Sequence, residues 1–288
     1  MNDQLTRNKT GSGKTRATLV SLALAVVAAG GCGTSSTRNL TPPPQPPADP
    51  RQAVITAADA TNGINTARYH FAVQLRTDLQ QPQHLGLDGV FDFRDPHGDG
   101  HVAIARNDAT YNFDVRLVHG TLYLASPLLA SRLHGAKWAS VDRDSLQRAG
   151  LYRDPQRSLD VLWAFHGADQ VRDGGLTVID GATVRIYRMR IDLAAAQATL
   201  GPERAARLQR AFHITGPGTR VTGAAWIDRA NHVRKFQLDG SANGDAINIH
   251  YEGVINNVDQ PVATPATPPP TQTRSVSPDD LRGLTPSQ

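Results

Sequence analysis

Large apolar and polar residues alternate along much of the chain. In Tyr69–Arg76 every odd position is large and apolar, and the same alternation recurs in 85–93 and 111–117. A period of two predicts strands with one apolar and one wet face, as antiparallel sheets have. His119-Gly120 and Asp180-Gly181 lie between such runs and are typical of tight hairpin turns. Later runs predict further strands at 171–179, 183–192, 219–228, 232–240 and 245–256.

Helical periodicity is confined to three segments, 51–64, 155–166 and 202–212. The second and third begin with a proline, which is favoured in the first turn of a helix. The order is therefore a helix, a long meander, a pair of helices and further strands. It predicts an α+β fold in which one strongly curved antiparallel sheet, a half-barrel, wraps around a few helices.

The N-terminus has the pattern of an export signal. A basic stretch ends at Arg16, an apolar run covers 17–29, and Gly30-Gly31 precede Cys32, the only cysteine of the chain. The run is too short for a membrane span, which needs about 20 residues, and its flanks are those of a signal peptide. The small residues before Cys32 resemble the lipobox of bacterial lipoproteins. The resemblance implies a signal peptide at 1–31 and a diacylglycerol thioether on Cys32, which would anchor the protein on the extracytoplasmic face of the cell membrane.

Proline marks the ends of the folded part. Thirteen of the 19 prolines lie in 42–50 and 261–286, among Thr, Ser, Gln and Ala. Such segments bury too little apolar surface to fold alone. We therefore expect a Pro-rich tether at 32–50, one domain at 51–258 and a disordered tail at 259–288.

Charge and motifs narrow the function classes. Four basic residues and one acid lie in 1–31, so most of the net charge of +4 belongs to the expected signal peptide. The remainder lacks the concentrated basic face of a nucleic-acid binder. No Gly-x-Ser-x-Gly elbow is present, and His97 and His101 have no third ligand at a zinc-site spacing. We expect no catalytic residue, no metal and no cofactor.

A family resemblance appears once these features are combined. A lipobox, a Pro-rich tether, an N-terminal helix and long antiparallel strands resemble the mycobacterial LppX/LprA/LprF/LprG lipoproteins, whose fold is similar to that of the LolA/LolB carriers. Local matches are His119-Gly120-Thr121-Leu122-Tyr123-Leu124, Lys137-Trp138, Val141-Asp142, Gly181, Val184 to Tyr187, Trp226-Ile227-Asp228 and Val233-Arg234-Lys235. The resemblance implies an apolar cavity between sheet and helices that holds acylated lipids or lipoglycans.

The sequence does not decide whether that cavity exists or is filled by side chains. Apolar residues on a sheet face form a filled core if helices cover them completely, and line a pocket if the helices stand off. A lipid carrier, expected to be a monomer, is the first interpretation. A cell-envelope scaffold or partner-binding lipoprotein without a lipid ligand is the alternative, and a lipid-anchored hydrolase is the third. The predicted cavity residues are Phe71, Val73, Leu75, Phe91, Phe93, Phe113, Val115, Leu122, Leu124, Leu159, Leu162 and Trp163.

Overall fold

The computed structural model describes residues 49–78, 80–106, 109–149, 155–212, 219–243 and 245–282. Within them a single sheet of twelve strands has the order β12-β6-β5-β4-β3-β2-β1-β11-β10-β9-β8-β7. All neighbours are antiparallel except β12 and β6. The sheet is open, and the helices lie on one of its faces. The strands are β1 Thr66–Thr77, β2 Gln80–Asp92, β3 His97–Arg106, β4 Ala109–Val118, β5 Thr121–Ala125, β6 Trp138–Asp142, β7 Ala168–Ile179, β8 Ala182–Ile191, β9 Arg220–Asp228, β10 Val233–Ala242, β11 Ile247–Asn256 and β12 Thr273–Ser275.

The predicted fold class is confirmed, and the strands lie close to their expected bounds. The two predicted hairpin turns are also present. His119 and Gly120 have φ of 47° and 77°, and Asp180 and Gly181 have φ of 47° and 78°. Two successive positive φ angles match the right-handed twist of the flanking strands, which is why Gly follows His or Asp at both turns.

Four helices form one layer against the sheet. They are α1 Pro50–Asn62, a 3-10 helix Pro155–Gly167, α3 Leu193–Thr199 and α4 Pro202–Ala211. The layer packs over β7 to β10. Its first helix is tied to the sheet by Thr61, whose buried hydroxyl accepts a hydrogen bond of 2.8 Å from Val233 N and donates one of 2.7 Å to Ala57 O. A short helix, α2 Arg143–Arg148, lies apart from the layer beside β6.

The 3-10 helix is the centre of this layer. It contacts α1, α3 and α4, and every residue from Leu159 to Phe165 is buried. This buried stretch includes one charged residue, Asp160, whose side chain is only 5% exposed. Arg207 of α4 binds it in a two-pronged manner, with Nε 3.1 Å from both carboxylate oxygens. The pair therefore fastens α4 to the centre of the helix layer.

Residues 259–282 correct the expectation of a disordered tail. This segment returns to the sheet, where it adds the parallel strand β12 beside β6. It ends in the helix α5 Pro278–Arg282. Arg116 donates to Ala266 O at 3.0 Å, and Lys137 N donates to Gln272 O at 3.0 Å. Composition suggested disorder because large apolar residues are few, but prolines reduce the entropy lost on ordering and the extended carbonyls still accept hydrogen bonds.

Val276 tests whether this segment belongs to the folded domain. Its side chain packs on the clusters around Leu117 and Leu129. We expect Val276→Asp to lower the free energy of unfolding by about 2 kcal/mol, because it places a carboxylate against apolar side chains. Urea unfolding measures this change. The neighbouring exposed Ser275→Asp is the control, and equal stability of the two variants would contradict an integral tail.

Candidate functional site

The strand register places the predicted strand positions on one face of the sheet, called here the inner face. Directly opposite residues share a face, and one row reads Phe71, Leu87, Val102 and Phe113 across β1 to β4. A second row reads Val73, Leu85, Ile104 and Tyr111. A third joins Val115 to Leu124, and a fourth joins Phe91 through Gly98 and Leu117 to Leu122.

Only part of the inner face is covered by helices. Along β1, Tyr69 and Phe71 are 2% and 7% exposed, but Val73 and Leu75, on the same face, are only half-buried. The exposed fraction of Leu85 on β2 reaches 40%. We call the half-buried and exposed part the open apolar face. It consists of Val73, Leu75, Leu85, Leu87, Val102, Ile104, Tyr111 and Phe113.

An aromatic group marks the boundary between covered and open parts. Phe212 follows the last residue of α4 and lies 5.1 Å from the ring of Tyr251 on β11. Tyr251 donates a hydrogen bond of 2.7 Å to Ala211 O. It is also the β11 neighbour of Val73 on the inner face. The open apolar face therefore begins where the end of α4 meets the sheet.

Glycines on the inner face let aromatic rings lie flat on the strands. Gly253 stands between Phe71 and Phe236 in the register, and a Cβ at this position would overlap the Phe236 ring. Gly89 and Gly98 have the same relation to Phe91. The rings of Phe91 and Phe236 therefore occupy the space above these glycines within the main core.

Gly253→Ala tests this packing. We expect it to lower the free energy of unfolding by about 3 kcal/mol, because the ring of Phe236 has no space to move within the core. The control is Gly86→Ala, where the new Cβ meets nothing nearer than Ala103 at 3.9 Å. Thermal unfolding that shifts equally in both variants would show that the ring is free to rearrange.

The outer face of the same strands is polar. His101 Nδ1 lies 3.2 Å from Asp114 Oδ1, and Lys235 Nζ lies 2.6 Å from Glu252 Oε1. The hydrogen bond from Lys235 holds the pKa of Glu252 below its ordinary value, against the opposing effect of burial. Such a charged, hydrated face suits solvent. The apolar surface open to a ligand is on the inner side.

A pocket of about 720 Å³ lies at the ends of β8 and β9, beside α3 and α4. Its apolar side chains include Ile191, Leu208, Phe212 and Val221. Ile191 and Val221 continue the inner-face row that begins at Leu75 and passes through Ile249 and Gly240. The pocket and the open apolar face therefore lie at the same end of the strands, on either side of the contact between Phe212 and Tyr251.

The predicted cavity residues fall into three groups, and none of them borders this pocket. Phe71, Phe91, Leu159, Leu162 and Trp163 are buried in the main core. Leu122 is buried in a second core, with Val115 and Leu124 packed on it. The remaining four are half-buried. Val73, Leu75 and Phe113 belong to the open apolar face, and Val73, Leu75 and Phe93 pack against the main core.

Sequence reasoning missed several residues of the open face and of the pocket. Leu85 and Leu87 were part of a recognised alternation, so their period of two placed them on the inner face without marking them as open. Ile191 and Val221 lay in predicted strands in the same way. Val102 and Ile104 follow a polar, glycine-rich run that hides their alternation.

The remaining expectations concern the lipidation of Cys32, metal binding and membrane-spanning helices. Cys32 lies outside the described residues, so its lipidation stays a prediction. Among the residues that the structure places, no group of three His, Cys, Asp or Glu side chains is arranged to hold a metal ion. Within the same ranges no helix combines the length and the apolar character of a membrane span.

Comparison with known proteins gives similarity at the level of structure. No protein-family model matches the chain, and no curated protein matches its sequence. LprF from Mycobacterium bovis is similar over 75% of this chain and 96% of its own, with a TM-score of 0.49 and 14% identity. The lipoprotein LppX from Mycobacterium tuberculosis is similar over 75% and 98%, with a TM-score of 0.42 and 14% identity. A LolA superfamily protein from Nitrosomonas europaea matches over 73% and 94%, with a TM-score of 0.25 and 8% identity.

LprF and LppX are among the lipoproteins that the sequence resembles. At these identities and TM-scores the likeness does not assign a ligand. The functional argument therefore depends on the surfaces of this chain.

Proposed function

We propose that this protein is an exported, membrane-anchored lipoprotein that binds the acyl chains of lipids or lipoglycans on its inner sheet face. The ligand lies on the open apolar face, and the covered half of the sheet serves as a rigid support. No nucleophile or metal takes part, because the reaction is the transfer of a hydrocarbon chain from a bilayer to a protein surface.

The observation that supports this proposal most strongly is the change in side-chain exposure along β1. Tyr69 and Phe71 are buried in the main core, while Val73 and Leu75 continue the same apolar row with side chains partly open. A scattered exposed Leu needs no explanation in a soluble protein. Eight adjacent apolar residues across four strands form a contiguous patch, and such patches mark interaction sites.

The dimensions and energies suit an acyl chain. Four strands spaced about 4.8 Å apart make a strip roughly 14 Å wide. Each methylene removed from water contributes about 0.8 kcal/mol. Burying half of a long acyl chain therefore contributes several kcal/mol, enough to hold a lipid while leaving it free to depart.

Extraction of the purified protein with organic solvent, followed by mass spectrometry, tests this function. We expect acyl lipids at a molar ratio approaching one, because a contiguous apolar face retains a chain through purification. A matched preparation of another lipid-anchored protein without such a face is the control. An extract that contains no more lipid than the control would exclude the carrier function and leave the alternative of a lipid-free envelope lipoprotein.

Cys32→Ala tests the proposed anchor separately. In cells given radioactive palmitate we expect the label to be lost, because the thioether on the Cys32 sulfur is the attachment point of the diacylglycerol. Thr34→Ala, two residues away, should keep the label. Persistent labelling of Cys32→Ala would contradict the anchor and would leave the proposed lipid-binding face untouched.

A further inference from the structure

The open apolar face is exposed toward one end of the strands. Along β1 the inner-face side chains are buried at Tyr69 and half-buried at Leu75 and at the last residue, Thr77. We call the end of the sheet at Thr77 the open end. Toward the other end the inner face is closed, since Tyr69 and Phe91 are each 2% exposed and their rings lie 5.6 Å apart. An acyl chain can therefore enter the open apolar face over the open end.

The first helix begins at the same end of the sheet. One row of directly opposite inner-face residues crosses from β1 to β7 near the open end: Leu75, Ile249, Gly240, Val221, Ile191 and Ala168. Arg51, in the first turn of α1, donates from Nε to Ala168 O at 2.8 Å and from Nη2 to His166 O at 3.3 Å. Asp49, which caps α1, is therefore held at the open end.

The proposed lipid anchor is joined to the domain at this point. Sixteen residues separate Cys32 from Asp49, so the anchor lies within about 60 Å of the open end. The opposite end of the sheet is farther from the attachment point by the length of a strand, about 40 Å for the twelve residues of β1. A tether attached at one end of a folded domain gives that end the higher effective concentration at the membrane.

Charge does not favour one class of lipid at the open end. Around the pocket there, Arg190 and Arg220 are balanced by Asp169 and Asp192. The open end therefore fits a bilayer through its apolar side chains, without a requirement for anionic headgroups.

The opposite end of the sheet is polar and hydrogen-bonded. Asn65 N donates to Asp259 Oδ1 at 2.7 Å, and Thr66 Oγ1 donates to Gln260 O at 2.6 Å. These bonds hold the start of the C-terminal segment across the beginning of β1. Such an end suits solvent.

We propose that the open end of the sheet faces the lipid bilayer that holds the anchor, so that an acyl chain passes directly between the bilayer and the open apolar face. The proposal rests on the proposed function and adds the surface through which the ligand is exchanged. The opposite end, with the start of the C-terminal segment, is directed away from the membrane.

Energy transfer from single labelled sites to the membrane tests this orientation on the full-length lipidated protein in phosphatidylcholine vesicles. Cys32 is the only cysteine, so an introduced cysteine is the one thiol left for a donor dye once the anchor is acylated. Asp78→Cys places the dye in the hairpin after β1, and Ala230→Cys places it in the hairpin after β9 at the opposite end; both residues are exposed. We expect much stronger transfer to an acceptor on lipid headgroups from Asp78→Cys, which would lie about 30 Å closer to the bilayer. Equal transfer, or stronger transfer from Ala230→Cys, overturns the orientation, and transfer from neither site overturns the anchor as well.

A shortened tether tests the exchange of lipid in the same vesicles. Deletion of 37–46 leaves six residues between Cys32 and Asp49, a reach of at most about 25 Å. We expect the variant to keep its crosslinking to diazirine-bearing phosphatidylcholine, because the open end still reaches the bilayer while the opposite end does not. Replacement of 37–46 by ten Gly and Ser residues is the control of unchanged length. Crosslinking that is lost only in the shortened variant overturns the orientation, whereas a full-length protein that never crosslinks overturns the lipid-binding face itself.

Discussion

Arg207→Met is expected to lower the free energy of unfolding by about 3 kcal/mol. The guanidinium lies 2.6 Å from Asp160 Oδ1 through one Nη and 3.1 Å from both oxygens through Nε. Asp160 is buried at the centre of the helix layer. Removing its partner leaves an uncompensated charge in the interior, which costs more than the intact ion pair contributes. Urea unfolding at neutral pH measures the difference.

Two further variants separate the contribution of the ion pair to stability from that of the packing of the arginine's methylene groups. Arg210→Met changes an exposed residue in the last turn of the same helix and should alter stability by no more than about 0.5 kcal/mol. Asp160→Leu combined with Arg207→Met replaces both charges and should recover most of the loss. Failure of the double variant to recover would mean that packing, and not the buried charge, sets the cost.

Leu85→Lys combined with Ile104→Glu is expected to weaken lipid binding about 100-fold. The two residues are directly opposite on β2 and β3 and form the middle of the open apolar face. Replacing them removes roughly 3 kcal/mol of apolar contact with an acyl chain, which corresponds to about two orders of magnitude in affinity. Opposite charges across the strands keep the sheet stable. Fluorescence titration with a labelled fatty acid measures the affinity.

The outer face supplies a control with the same charges on the same strands. His84 and Ala105 are the adjacent register pair, and their side chains point away from the helices. His84→Lys with Ala105→Glu should therefore keep the affinity. A loss of affinity in both double variants would show that added charge, and not the apolar face, changes binding.

The sequence predicts the two faces of the sheet well, because the period of two is local. Phe71 and Val73 are two residues apart on β1, and both were expected on the inner face. What separates them is how far the packed core extends along β1, since it buries Phe71 but leaves Val73 partly exposed. The extent of helix cover depends on long-range packing that no local pattern records.

The same limit applies to the charged groups of the site. Asp160 and Arg207 are 47 positions apart, and neither belongs to a motif. The C-terminal segment is the opposite case. Its composition indicated disorder, but Val276 and Leu281 pack against apolar clusters on the sheet. These apolar contacts add to the pairing of β12 with β6 in holding the segment on the sheet.

The location of the bound chain decides the account most directly. Cells that express the full chain are given a photoactivatable fatty acid, illuminated, and the crosslinked peptides of the protein are mapped by mass spectrometry. The account predicts crosslinks to β1, β2, β3 and β4, at inner-face positions such as Val73, Leu85 and Ile104. Crosslinks confined to the outer face, or to Cys32 alone, would contradict a lipid-binding inner face.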